Sequence, residues 1–123
     1  MPINLATCPP DAELFNQRAE EVANRLNQAA GSLNKPTQIR RFYDELVGWQ
    51  ERIDGDDEKF SQYVAFIRML NAKVAYAKGR KLVDEEFVSW FRQCIQTTTT
   101  ARALDHFRLH FEAVLGFLKA LRA

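Results

Sequence analysis

With 123 residues, 46% of them hydrophobic and nine Phe and two Trp among them, the chain is the size of one domain and can build a real core, which excludes an intrinsically disordered protein. Charges interrupt every apolar run well short of the roughly 20 residues that a membrane span needs, so no membrane partner is expected. The formal net charge of +1 gives by itself no reason to expect a polyanionic partner.

Residues 1–10 contain Cys8, Pro9 and Pro10 but neither a basic stretch nor the long apolar run of a secretory signal. They read as a flexible segment of a cytoplasmic protein, in which Cys8 and Cys94 are free thiols. A first helix is predicted from Asp11 to Ala30, with Phe15, Ala19, Val22, Leu26 and Ala29 on one stripe and Gly31 and Ser32 beyond its end. Thr37 is the expected N-cap of a second helix, in which Ile39, Phe42, Tyr43, Leu46, Trp49 and Ile53 keep helical register. The Asp54–Asp57 stretch, rich in turn formers, ends it.

The third helix is expected over Glu58–Lys78, central in the bundle. Phe60, Val64, Ile67, Leu70, Val74 and Ala77 form its stripe, and Phe66, Met69 and Tyr76 widen that stripe toward a second surface. Gly79 stands where a left-handed C-terminal cap is wanted, and Asp84 caps a fourth helix over Glu85–Thr97. Four consecutive threonines, Thr97–Thr100, mark a connection before a fifth helix that starts at Ala101 and carries Leu104, Phe107, Phe111, Val114, Leu115, Leu118 and Leu121. No stretch alternates with period two, so the fold class is all-α, a single domain built as a compact five-helix bundle.

Chemistry-bearing motifs are missing from this framework. His106 and His110 have zinc-ligand spacing, yet Phe107 stands where a metalloprotease helix carries its Glu base, and no third ligand is nearby. They read as surface or half-buried histidines. Asp54, Asp56 and Glu58 alternate like calcium ligands, but Lys59 takes the place of the required Gly and Ala65 that of the bidentate Glu. With no phosphate-binding glycine loop, nucleophile elbow or Glu-x-x-His pair, no catalytic residue, metal or cofactor is expected and the chain does not read as an enzyme.

Charge is instead distributed unevenly. Residues 1–34 hold two basic and four acidic side chains, whereas Lys59–Val83 holds Lys59, Arg68, Lys73, Lys78, Arg80 and Lys81 and no acid. Lys78, Arg80 and Lys81 gather where the third helix ends, a place the helix dipole favours for cations. Arg40 and Arg41 lie in the first turn and a half of the second helix, where that dipole disfavours them, so two guanidiniums beside free N–H donors suit a phosphate. Antiparallel packing across the Asp54–Asp57 turn brings these ends together. The candidate contacts to a nucleic-acid backbone are therefore Lys35, Gln38, Arg40, Arg41, Arg68, Lys73, Lys78, Arg80 and Lys81. Tyr43 and Tyr76 are able to stack on bases, with core packing as their ordinary role. The rival reading is a helical protein–protein scaffold without RNA contact.

The strings TQIRRFYDEL at 37–46, NAKVAYAKGR at 71–80 and FEAVLGFLKAL at 111–121 resemble the small helical subunit of type III-A CRISPR effector (Csm) complexes. The resemblance implies several copies stacked along a filament, in contact with CRISPR RNA and its paired target RNA. RNA cleavage then belongs to the backbone subunits, and DNA cutting and cyclic oligoadenylate synthesis to the large subunit. By position, Arg40 and Arg41 match the basic pair of the first motif, and Lys73 and Arg80 the Lys and Arg of the second. Lys78 departs from the pattern, where a small residue is expected, and the Cys8–Pro10 stretch has no counterpart.

Overall fold

In the computed structural model, residues 3–29 and 31–122 are described. Among them the chain is all-helical: α1 (Gln17–Asn27), α2 (Pro36–Ile53), α3 (Asp57–Arg68), α4 (Leu70–Gly79), α5 (Glu85–Thr97) and α6 (Ala101–Leu121). α3 and α4 are the two arms of the expected third helix, jointed at Met69, so the bundle has five rods. At the joint the Ala72 N–H reaches back only three residues, to the Met69 carbonyl at 2.9 Å, a local tightening of the helix. No proline or glycine marks this place in the sequence.

The rods enclose one hydrophobic cluster, and α6, not the jointed third rod, is the element around which it forms. α6 packs against α1 and α2, while α5 covers α4. Because apolar residues recur three and four apart along all of α6, its stripe is wide enough to serve several neighbours. Phe107 and Phe111 stack on one another at 6.0 Å, and Trp90 of α5 meets Phe111 edge to face at 5.0 Å.

Caps explain several boundaries. The Asp84 carboxylate accepts from the Phe87 N–H at 3.0 Å and Thr100 Oγ1 from the Ala103 N–H at 3.0 Å, so α5 and α6 begin where the sequence places them. Asp54 (φ 47°) and Gly55 (φ 75°) turn the chain between α2 and α3, and Asp56 caps α3. The Asp57 carboxylate accepts from the Ala101 N–H at 2.9 Å and ties the start of α3 to the start of α6. Asp56 and Asp57 are thus spent on backbone donors, a structural reason for acids in this turn.

Three expectations are corrected. α2 begins at Pro36, with Lys35 and not Thr37 as N-cap, because proline's fixed φ suits the first helical position. The left-handed cap after α4 falls on Lys81 (φ 61°) and not on Gly79, with the Leu82 N–H bonded to the Ala77 carbonyl at 3.0 Å. The first helix is shorter than expected. Asp11 to Asn16 form turns, with Asp11 Oδ1 accepting from the Glu13 N–H, and the helix ends at Asn27; Ala30 lies outside the described residues.

The histidines account for the turns and for the N-terminal segment. Both are buried, deeper than the surface or half-buried placement expected. His106 Nδ1 lies 2.9 Å from the Leu5 carbonyl and His110 Nδ1 2.7 Å from that of Leu14. The Trp90 indole N–H donates to His110 Nε2 at 3.1 Å, which makes Nδ1 the protonated nitrogen of a neutral His110. Ile3 and Leu5 are buried against the bundle; Met1 and Pro2 lie outside the described residues.

Burial pushes His110 down to about 4, against an ordinary value of 6.5. Between those values the unfolded chain holds the proton and the folded chain does not. Stability is therefore full above about pH 6.5 and falls as the pH drops toward 4, by about 3 kcal/mol in all. Urea unfolding at stepped pH checks this: a stability that His110→Gln leaves with the same acid-side slope removes His110 as the cause.

Candidate nucleic-acid interface

The start of α2 and the end of α4 meet, and the reason is a single buried asparagine. Asn34 (φ 57°) donates from Nδ2 to the Leu26 carbonyl at 3.2 Å and to Asp84 Oδ1 at 2.9 Å, and its Oδ1 accepts from the Asp84 N–H at 3.1 Å. Its own N–H donates to the Leu82 carbonyl at 3.0 Å. The loop before α2 is thereby clipped to the loop after α4. This contact, rather than the Asp54–Asp57 turn alone, sets the distance between the two ends.

Between them lies an open groove of about 380 Å³, walled by Gln38 and Arg41 of α2 and by Lys73, Tyr76 and Arg80 of the α4 end, with Glu45 at one side. Lys73 Nζ donates to Glu45 at 2.7 Å across the groove, which neutralises one cation locally. Arg41 and Arg80 form no ion pair with any described residue. The Arg80 guanidinium sits 5.9 Å from the centre of the Tyr76 ring, with Nη1 3.4 Å from the phenol oxygen.

The other candidates fall elsewhere. Consecutive residues on a helix point about 100° apart, so Arg40 leaves the groove that Arg41 enters. Arg40 lies over the Tyr43 ring at 5.8 Å and faces Asp44 at 3.7 Å, which gives it the structural partner that sequence reasoning did not find. Lys78 is bonded to Glu85 at 2.6 Å and, with Lys81, borders a separate depression beside Asp84. Arg68 is exposed in the last turn of α3 and Lys35 caps α2; neither lines the groove.

Free backbone donors contribute less than expected. Pro36 has no N–H, and those of Gln38 and Ile39 both reach the Lys35 carbonyl. Because α2 starts two residues earlier than expected, Arg41 stands in its second turn, beyond most of the dipole. The groove acts through side chains.

The two tyrosines separate cleanly. Tyr43 is 7% exposed, packs edge to face on Phe111 at 5.5 Å and donates to Glu112 at 2.8 Å, so it belongs to the core. Tyr76 is 66% exposed in the groove wall. The signal was present in the sequence, since Tyr76 lies off the Val74–Ala77 stripe. Elsewhere, Cys94 is fully buried and burial pushes its thiol well up, which leaves it protonated and unreactive. Among the described residues no cluster of His, Cys, Asp or Glu is placed to hold a metal, and no helix is long and apolar enough to cross a membrane.

Fold and groove define an all-helical module that carries a cation-lined cleft between two of its rods. The Csm2 Type III-A family model matches residues 9–123. The chain belongs to that family, the small subunit of the type III-A CRISPR effector (Csm) complex. Neither a curated protein nor a solved structure matches it.

Proposed function

We propose that this small subunit is a non-catalytic, cytoplasmic RNA-binding protein that grips the sugar–phosphate backbone of CRISPR RNA and of its paired target RNA. It does so through the α2–α4 groove, as one of several stacked copies beside the large and backbone subunits. One observation carries the reading: Arg41 and Arg80, 39 positions apart in sequence, line one open groove, and neither has a carboxylate partner among the described residues. A guanidinium presents a planar fork of donors that matches two phosphate oxygens, and Arg80 keeps donors free beyond its contact with Tyr76. Lys73 exchanges Glu45 for a phosphate when RNA enters, and Gln38 adds a neutral donor. Lys35, Arg40, Arg68, Lys78 and Lys81 serve as peripheral cations along the path of the strand.

Family membership supplies the setting, and repeated copies on one strand add avidity that a single shallow groove lacks. The protein-scaffold reading has its own support in Phe66 and Met69, which are about half exposed on the outside of the joint. Phe66 stacks on Trp49 there at 5.6 Å, beneath no other element. We assign that face to contacts with neighbouring subunits, alongside the RNA groove.

Binding of single-stranded RNA measured over a range of salt tests the proposal. Each phosphate neutralised contributes about −0.7 to the slope of log affinity against log salt, so three groove cations give a slope of about −2 that does not depend on base sequence. Arg41→Ala flattens the slope by about one phosphate's worth. Arg40→Ala changes it far less. Affinity that is indifferent to salt, or an Arg40 effect equal to that of Arg41, contradicts the assignment.

A further inference from the structure

Tyr76 is the one tyrosine of the described residues that its own fold leaves in solvent: Tyr43 is in the core and Tyr63 is half buried against Trp49. Val74 and Ala77 carry the buried face of α4, so the helix gains no packing from this ring. Yet the ring is held. Arg80, one turn further on, lies over it and reaches its hydroxyl, so the phenol is braced beside Arg41 and Lys73 in the groove wall. A large aromatic ring kept in water beside the guanidiniums of Arg41 and Arg80 suits a ligand that is anionic along its backbone and flat and aromatic at its side.

From this juxtaposition we infer that Tyr76 is a stacking platform for one unpaired nucleobase of the RNA whose backbone the groove holds. The inference rests on the backbone reading above and adds the part of the ligand that the ring recognises. Bases inside a duplex have both faces covered by their neighbours, so only an unpaired or splayed nucleotide presents a face to Tyr76. Stacking tolerates any base, because each has a π face, and the adjacent guanidinium adds a cation–π contribution. Gln38 and Glu45 lie within the same groove, able to meet the edge of the stacked base while Arg41 and Arg80 hold the flanking phosphates.

The test compares two probes on the full chain at low salt: a single-stranded RNA of mixed sequence, and an abasic ribose–phosphate chain of the same length and charge. The protein is expected to favour the RNA on the order of tenfold. Tyr76→Leu abolishes that preference while keeping the affinity for the abasic chain, and Tyr76→Phe retains it. Equal binding of both probes by the unaltered protein, or a preference that survives in Tyr76→Leu, overturns the stacking role and leaves the backbone reading intact. In that outcome Tyr76 is a protein contact. Failure to bind either probe in a salt-sensitive way overturns both. Because the side chain is exposed, melting curves of the variants are expected to match that of the unaltered chain.

Discussion

Replacing Arg41 and Arg80 together by alanine is expected to lower RNA affinity on the order of 30- to 150-fold at fixed salt, with no loss of thermal stability. Each guanidinium–phosphate contact contributes about 1 to 1.5 kcal/mol where water competes, and the two side chains stand on separate helices, so their effects add. Neither residue has an ion-pair partner among the described residues, and both are exposed. Their removal therefore strands no buried charge. The Arg80 change also takes the brace from Tyr76, so the variant additionally loses its preference for RNA over the abasic chain. Filter binding of the double variant beside a melting curve reads both halves of this expectation. A variant that melts several degrees lower and binds RNA normally makes the arginines structural.

The second large effect belongs to Asn34. Alanine at this position leaves the Asp84 N–H without its acceptor, takes one of two donors each from the Leu26 carbonyl and Asp84 Oδ1, and must also adopt the left-handed backbone that asparagine tolerates better. A destabilisation of about 3 kcal/mol is expected, or on the order of 10 °C in Tm for a domain of this size. Glycine relieves the backbone strain and not the lost hydrogen bonds, so Asn34→Gly falls between the two. Aspartate is worse than glycine, since it sets a carboxylate against a carbonyl and a second carboxylate. Because the same side chain clips the two loops that position the groove, the surviving folded fraction of Asn34→Ala is expected to bind RNA more weakly, although Asn34 is buried and touches no ligand. Chemical denaturation and RNA binding measured on one preparation separate these effects.

How much of this was legible before the structure depends on the kind of signal. The Asp84 cap was readable, and α5 and α6 begin where pattern and propensity put them, whereas the caps read at Thr37 and Gly79 fell on Lys35 and Lys81. The joint at Met69 was not, because both arms keep one apolar stripe and nothing in the local sequence breaks it. The depth to which His106 and His110 are buried escaped notice for a different reason. Their partners are the carbonyls of Leu5 and Leu14, about a hundred residues away, and no local pattern reports a pairing of that range. The shortened first helix follows from the same pairing, since the Leu14 carbonyl is held by His110 within a run of turns.

At the site, composition exposed the cationic segment and packing logic brought its end to the start of α2. What sequence could not do was sort cations that share a helix end. Arg40 and Arg41 are neighbours in the chain, yet one is answered by Asp44 and Tyr43 while the other opens into the groove. Lys78 and Lys81 turn toward the opposite side of the α4–α5 loop because Glu85 and the left-handed Lys81 backbone draw them there. Asn34 had no signature as a clip, since its partners, like those of the histidines, are distant in sequence.

The most direct measurement is photocrosslinking of RNA to the intact effector complex, with the crosslinked residues of this subunit identified by mass spectrometry. Crosslinks within 38–42 and 73–80 are the predicted result, with Tyr76 itself among the attached residues. Crosslinks confined to other faces of the subunit, such as α1, α5 or the Phe66–Met69 surface, or none on this subunit at all, would contradict the claim that the α2–α4 groove holds RNA.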